Sequence, residues 1–584
     1  MSDLSKVWFL TGASSNFGIA LTRALLEAGH KVVATARTPS KLPFETHDAL
    51  LVLPLDVTDF SSISQAFEDA RRHFGRIDVV VNKAGFTTLV ELEALSEDKA
   101  RKVLASQLWG PARVQEIATE LFEAQKIQGL ILNITSVMAV FSGPLIAIMC
   151  AAKAGSEVLT LARARSSPFV TAVNIRPGGF EDHPEVPLEP QPPAFTSKDL
   201  GRTLAGTMRT VMSSQSPGQG DVRKMVRALI ALAELSKEQL SGAVLLGSEA
   251  FAISRIGAMK RVANIQHGQR IINDLKKAGS QSKDARVWFV TGADSTLGRT
   301  IVRLLLDAGH RVAAVIPDNV VNSLSTNMDQ LLVLRRASTN SVSDISKLLT
   351  EAAHHFGNID VVINTPPGGV QSQQPGDWDT AYALTERIFW SPMNTASAAV
   401  KVLRETNPPG VGGRIFNVLT AVDADDTNTS SLHSALNIAV TAATTGLVRE
   451  LPRKWNIGVS AIIIDPDLHA DEETAHVLMK LVDLPHASLP GQLYFGDRAI
   501  RTALHAAQVE LSEACSKDAM ERAMSTDRAH IDSRARIGLF HSLLSVVLSP
   551  SPSVLSKLFL LLSALGWGIR MVMFESLRGT FTRS

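Results

Sequence analysis

The stretch "VWFLTGASSNFGIALTRALLEAGHKVVATAR" at Val7–Arg37 decides the fold, because the chain writes it twice. "VWFVTGADSTLGRTIVRLLLDAGHRVAAVIP" at Val287–Pro317 repeats it at an offset of 287 − 7 = 280 residues. That offset is too long for a solenoid unit and points to duplication of an entire domain. The correspondence continues from "HFGRIDVVVN" at His73–Asn82 to "HFGNIDVVIN" at His355–Asn364. In each copy, short unbroken Val/Ile/Leu runs alternate with segments of helical period. Such runs suit strands covered on both faces, and their alternation with helices predicts a parallel sheet. The expected architecture is α/β: two doubly wound, Rossmann-type domains in tandem, with ligand clefts at the carboxyl ends of the strands.

Length agrees, since 584 residues are too many for one core. We assign residues 1–257 to the first domain, 258–285 to a helix and linker, 286–534 to a second, more degenerate copy, and 535–584 to an apolar helical tail. A net charge of +1 supplies no field for nucleic acid, and none is expected as a partner. Cys150 and Cys515 give neither a disulfide framework nor metal-ligand spacing, so no metal is expected. "MSDLSKVWFL" lacks a secretory pattern, and the cytosol is the expected compartment. In the tail, "IGLFHSLLSVVL" and "LFLLLSALGWGI" are each shorter than the roughly 18–20 apolar residues needed to span a bilayer. Helices capping the domain pair are expected there. Peripheral membrane contact, or a span over Val554–Phe574, are the alternatives.

The turn from Thr11 to Gly18 follows a strand and opens a helix. Glycines there let the backbone approach a pyrophosphate, and the helix N-terminus favours its charge. A lone glycine-rich turn is weak evidence, but its neighbours strengthen it. Arg37, closing the second strand in "VVATAR", is placed for a 2′-phosphate, where an acidic residue would favour NAD. A solvated strand-end arginine is the plainer reading of Arg37 alone.

With these pieces together, the first half resembles the short-chain dehydrogenase/reductase family in its single-domain form. The resemblance rests on the glycine turn, Asp56-Val57 in "LPLDVTD", "NKAG" at Asn82–Gly85, Ser136 in "NITSV", Lys153, and "RPGGF" at Arg176–Phe180. It covers about the first 250 residues in the family's order, and the second half more loosely. It implies that Gly12, Ser14, Asn16 and Gly18 line the pyrophosphate turn, with Asn16 at a usual glycine position reshaping that loop. It further implies Arg37 at the adenosine phosphate, Asp56 and Val57 at the adenine, and Asn82 and Gly85 on the ribose side. Lys153 would hold the nicotinamide ribose, and Pro177 and Gly178 would border the nicotinamide. The implied cofactor is NADP(H), bound by the first domain only.

The family's catalytic set is incomplete. Its tyrosine passes the substrate proton, its lysine lowers the tyrosine's pKa, its serine orients the carbonyl, and its asparagine supports a water relay. Here "MCAAK" puts Met149 at the tyrosine position, 149 − 136 = 13 residues after Ser136, which is the family spacing. A thioether neither donates nor removes a proton. Gln107 in "QLWG" holds the asparagine position, and both tyrosines, Tyr382 and Tyr494, lie in the second half. Ser136 and Lys153 are the catalytic candidates that remain. Glu181, Asp182 and His183 could supply an acid from the covering loop, although loop polarity explains them equally well. Cys150 reads as packing.

The second half has diverged further. It keeps Thr291, Gly292, Gly298 and Asn364, but Pro317 replaces Arg37 and Ala337 replaces Asp56. Pro466-Asp467 replaces the proline–glycine element and puts a carboxylate on the expected phosphate path. Thr420, His433 and Asn437 stand at the serine, tyrosine and lysine positions, and Ile388 at the asparagine position. His433 beside Thr420 is a conceivable acid/base, with a structural histidine as the plainer reading.

Three functions follow. The leading expectation is a non-redox cyclase- or isomerase-type catalyst of small-molecule metabolism, secondary metabolism included, working on an apolar metabolite beside the oily wall "AVFSGPLIAIM". The others are an NADPH-dependent oxidoreductase with an unusual proton donor, and a catalytically silent binding or scaffold protein. Relatives of this family pair through two helices, so a tandem chain is expected to form that pairing within itself, as an intramolecular pseudo-dimer.

Overall fold

The structure, a computed structural model, describes residues 5–179, 188–195, 205–206, 208–209, 221–240, 242–277, 284–317, 329–336, 341–366, 378–421, 431–468, 472–485 and 489–515. Each half contributes one parallel seven-stranded sheet. In the first, β1 (Val7–Leu10), β2 (Lys31–Ala36), β3 (Leu50–Pro54), β4 (Val79–Asn82), β5 (Gly129–Ile134), β6 (Val170–Pro177) and β7 (Ala243–Leu246) lie in the order 3-2-1-4-5-6-7. In the second, β8 (Val287–Thr291), β9 (Arg311–Pro317), β10 (Leu331–Arg336), β11 (Val361–Asn364), β12 (Gly413–Thr420), β13 (Ile457–Ile464) and β14 (Gln492–Phe495) repeat it as 10-9-8-11-12-13-14. The order reverses between β1 and β4, and a crevice opens outside the carboxyl ends of strands at such a switch point. The apolar runs read from the sequence are buried throughout: all four residues of β1 and all five of β8.

The halves meet through matching helices. Helix Ala147–Ser166 lies against helix Ser431–Glu450, and small residues set how closely they approach. A Cβ added to Gly446 would stand 2.6 Å from the Ala147 Cβ, and one on Gly155 would stand 3.1 Å from the Ala435 carbonyl. The largest apolar cluster runs through this seam, taking Leu108, Cys150 and Ala151 from one side and Leu436, Ala439 and Ala443 from the other. Burial pushes the Cys150 thiol up to about 12, so it is inert packing. Polar contacts cross as well: Arg101 meets Glu386 at 3.1 Å, and Trp378 Nε1 donates to Glu116 Oε2 at 3.1 Å.

The helix expected after residue 257 already begins at Ser248 and runs unbroken to Lys277. Its later turns reach the second half, where Ile272 joins the core that contains β14 residues Leu493 and Phe495. Among the described residues no helix is long and apolar enough to cross a membrane. The tail 535–584 and residues Glu181, Asp182, His183 and Ala337 lie outside the described residues.

Candidate functional site

Beyond β1, residues Thr11–Ser15 turn the chain into helix Asn16–Glu27. Gly12 has φ +72°, a left-handed angle that favours glycine, and a Cβ there would lie 2.9 Å from the Ala84 Cα. Ser15 Oγ caps the helix by accepting the Gly18 N–H at 3.0 Å. Ser14 and Asn16 are exposed at this N-terminus, where backbone N–H groups favour an anion. Asn16 is the first residue of the helix and lacks a positive φ, so its backbone angle does not call for glycine.

The other cleft residues cap neighbouring strands. Arg37 follows β2, is exposed, and has no hydrogen bond or ion pair with another of the described residues. Asp56 Oδ1 accepts from Thr58 N and Oγ1 at 2.9 and 2.8 Å, and Val57 beside it is buried. Asn82 ends β4, with Nδ2 donating to the Pro111 carbonyl at 3.2 Å. Gly85 adjoins Gln107, whose Cγ would be 3.0 Å from an added Cβ. Pro177 ends β6, and the Gly178 N–H donates to the Leu246 carbonyl at 3.0 Å.

The reacting corner lies past β5. Ser136 Oγ accepts the Met138 N–H at 3.1 Å, which leaves the hydroxyl hydrogen free to donate. Met149, near the start of helix Ala147–Ser166, packs its half-buried thioether against the central apolar cluster. One turn later, Lys153 Nζ donates to the Ile134 carbonyl at 2.9 Å. Desolvation, helped by nearby Lys83, pulls Lys153 down to about 8 against the opposing pull of Glu157. That carboxylate is committed elsewhere, at 2.7 Å from both Arg176 Nη2 and Thr135 Oγ1.

Gln107 is buried in a π-helical turn, Ala105–Trp109, and its amide donates to the Phe86 carbonyl. Pro111 supplies the cause: with no N–H, it cannot close the ordinary helical bond to the carbonyl of residue 107. The second half repeats the device, with Ile388 inside the π turn Glu386–Trp390 and Pro392 after it. Neither phenol replaces Met149. Tyr382 stacks on Phe60 and lies by Trp109 at the seam, and Tyr494 donates to Gln492 Oε1 at 3.0 Å.

In the second half a threonine hydroxyl packs against the glycine turn. A Cβ on Gly292 would meet Thr365 Oγ1 at 2.7 Å, and that hydroxyl donates to the Thr291 carbonyl at 2.8 Å. Asn437 Nδ2 donates to the Thr420 carbonyl at 2.8 Å, a short analogue of the Lys153 contact. His433 is half-buried on the same helix. Asp467 is exposed and stands 3.6 Å from Arg498.

Sequence reasoning passed over two residues. Lys83, inside the quoted "NKAG", lies at the crevice, and its charge at a strand's carboxyl end was the available signal. Glu450 is a second-half carboxylate buried against first-half backbone, and nothing in a single sequence marks it.

The sequence profile of the short chain dehydrogenase family matches residues 6–186 and again 286–468, together more than half the chain. The chain belongs to that family. As a tandem short chain dehydrogenase it is 34% identical over 184 residues to an uncharacterized oxidoreductase of Schizosaccharomyces pombe, covering 31% of this chain and 63% of the relative. It is 37% identical over 145 residues to the oxidoreductase calM of Penicillium decumbens, covering 24% of this chain and 48% of the relative. The match thus spans less than two thirds of the length of these curated relatives. Among solved structures, the N-domain of a bacterial malonyl-CoA reductase with NADP matches at 16% identity and a TM-score of 0.60, covering 84% of this chain and 97% of that one. That likeness extends the shared fold across both halves of this short chain dehydrogenase.

Proposed function

We propose that the chain is an NADP(H)-dependent oxidoreductase for a small apolar molecule, with its chemistry in the first half. The cradle fits a phosphorylated dinucleotide. Gly12, Ser14, Asn16 and Gly18 would hold the pyrophosphate at the open helix N-terminus, and the unpaired Arg37 guanidinium would meet the 2′-phosphate. Asp56 and Val57 would lie by the adenine, Asn82, Gly85 and Lys153 by the riboses, and Pro177 and Gly178 by the nicotinamide. When bound, the dinucleotide supplies or accepts a hydride.

One observation carries the reading: Lys153, a weakened ammonium tied to the Ile134 carbonyl, shares the corner with Ser136. The corner thus retains polar hydrogens for a substrate oxygen although Met149 offers none. The oxidoreductase relatives accord with it. In the second half, Pro317 at the Arg37 position and Thr365 crowding the turn favour a supporting role as the built-in partner of the first half. The test is nicotinamide absorbance with NADPH and a panel of apolar carbonyl compounds. Consumption of NADPH is expected, and an unchanged signal across the panel sinks the proposal. The half-buried thioether of Met149 favours one second reading, a non-redox cyclisation, isomerisation or dehydration, recognised by product formed without NADPH consumption.

A further inference from the structure

The first-half crevice contains a second lysine that the family resemblance assigns no role. Lys83 directly follows Asn82, the last residue of β4, and Asn82 pairs with Asn133 of β5. Extending that register by one residue sets Lys83 beside Ile134, whose carbonyl holds Lys153. The Lys83 main chain is fixed, its N–H donating to Thr11 Oγ1 at 3.0 Å at the root of the glycine turn. The residue is half-buried and, among the described residues, its ammonium has no hydrogen-bond or ion-pair partner. Two lysines thus face one another's field, while the carboxylate that acts on Lys153 is bound to Arg176. A partly desolvated ammonium with unused N–H donors is costly unless a ligand oxygen accepts from it.

We propose that Lys83 is the proton donor of the N-terminal crevice, supplying to the substrate oxygen the proton that a tyrosine at position 149 would have given. The inference rests on the oxidoreductase reading. As a hydride from the reduced nicotinamide joins the carbonyl carbon, the C=O π pair moves onto oxygen. A Lys83 N–H bond breaks, an O–H bond forms, and the neutral amine then takes a proton from water. Desolvation alone pulls Lys83 down to about 8, which suits proton transfer near neutral pH.

Two independent measurements test this. In the cofactor-free protein, competitive amine labelling followed by mass spectrometry should give Lys83 a midpoint near 8. A midpoint at the ordinary lysine value of about 10.4 overturns the proposal. In turnover, Lys83→Met should lower kcat roughly 100-fold or more while NADPH affinity stays within about twofold. Lys83→Arg, which keeps the charge but holds its proton, should not restore the rate. A Lys83→Met protein with the parent's kcat, or recovery in Lys83→Arg, overturns it. A parent that oxidises no NADPH instead defeats the oxidoreductase reading, and the labelling midpoint still decides whether Lys83 is the weakened acid inferred here.

Discussion

Glu450 and Leu145 belong to different halves, and Glu450 Oε1 accepts the Leu145 amide hydrogen at 2.8 Å. The second oxygen accepts from Leu92 N at 2.7 Å, so one carboxyl group ties two first-half loops. Leu145 needs the restraint: its φ of +65° is left-handed, rare for a leucine, and it sits just before the helix bearing Met149 and Lys153. Arg449 adds a contact to the Ser142 carbonyl and lies 4.5 Å from the Phe141 ring. Glu450→Ala should leave two buried N–H groups without acceptors and cost about 2–5 kcal/mol, measured by chemical denaturation.

The same residue predicts a pH dependence. Burial, reinforced by Glu91 and Glu93, raises the Glu450 carboxyl from 4.5 to about 8, although two amide hydrogens pull the other way. Between those values the folded chain holds a proton that the unfolded chain has released. The group's contribution is therefore complete below the unfolded value and lost as pH rises through the folded one. The denaturation midpoint should fall between about pH 5 and about pH 8.5 in the parent, and fall less in Glu450→Gln.

Arg37→Ala tests the cofactor reading. The parent should prefer NADPH to NADH. Removing an unpaired, exposed guanidinium should weaken NADPH binding about 10- to 100-fold and leave NADH nearly unchanged, as read by fluorescence titration. Equal affinities in the parent would falsify the assignment.

Met149→Tyr returns a phenol one helical turn before Lys153. With Lys83 already donating in the parent, carbonyl reduction should change by less than about tenfold, whereas the same phenol added to Lys83→Met should recover much of the roughly 100-fold loss. A gain of about 10²–10⁴ in the single variant would mean that the parent has no donor at work in that corner.

Gly446→Val tests the seam. The added Cβ alone would lie 2.6 Å from the Ala147 Cβ and 3.0 Å from the Ala147 Cα, so the helices must separate. We expect a loss of roughly 1–3 kcal/mol, with weaker NADPH binding in the other half as the more telling result.

Both sheets were legible because unbroken apolar runs and shared glycines are local signals, repeated at one offset. The placing of the candidate residues at strand ends was legible for the same reason, since the pattern defines those ends. The backbone angle at Asn16 was not legible, because a helix start and a glycine-demanding loop look alike in sequence. Lys83 was visible but unweighed, since its meaning depends on being partly desolvated beside Lys153. Glu450 was hidden, because its partners are main-chain groups more than 300 residues away.

Among the described residues, the grip of Glu450 on Leu145 has no mirror image. Helices Ala147–Ser166 and Ser431–Glu450 align end to end at 431 − 147 = 450 − 166 = 284, which puts Ser166 opposite Glu450. Ser166 is exposed and, among the described residues, its side chain bonds only within its own helix, at the Arg163 carbonyl. Two identical subunits would carry any such change on both sides of their axis at once. Fusion lifts that constraint, letting one copy gain a brace that the other lacks, and dilution cannot part them.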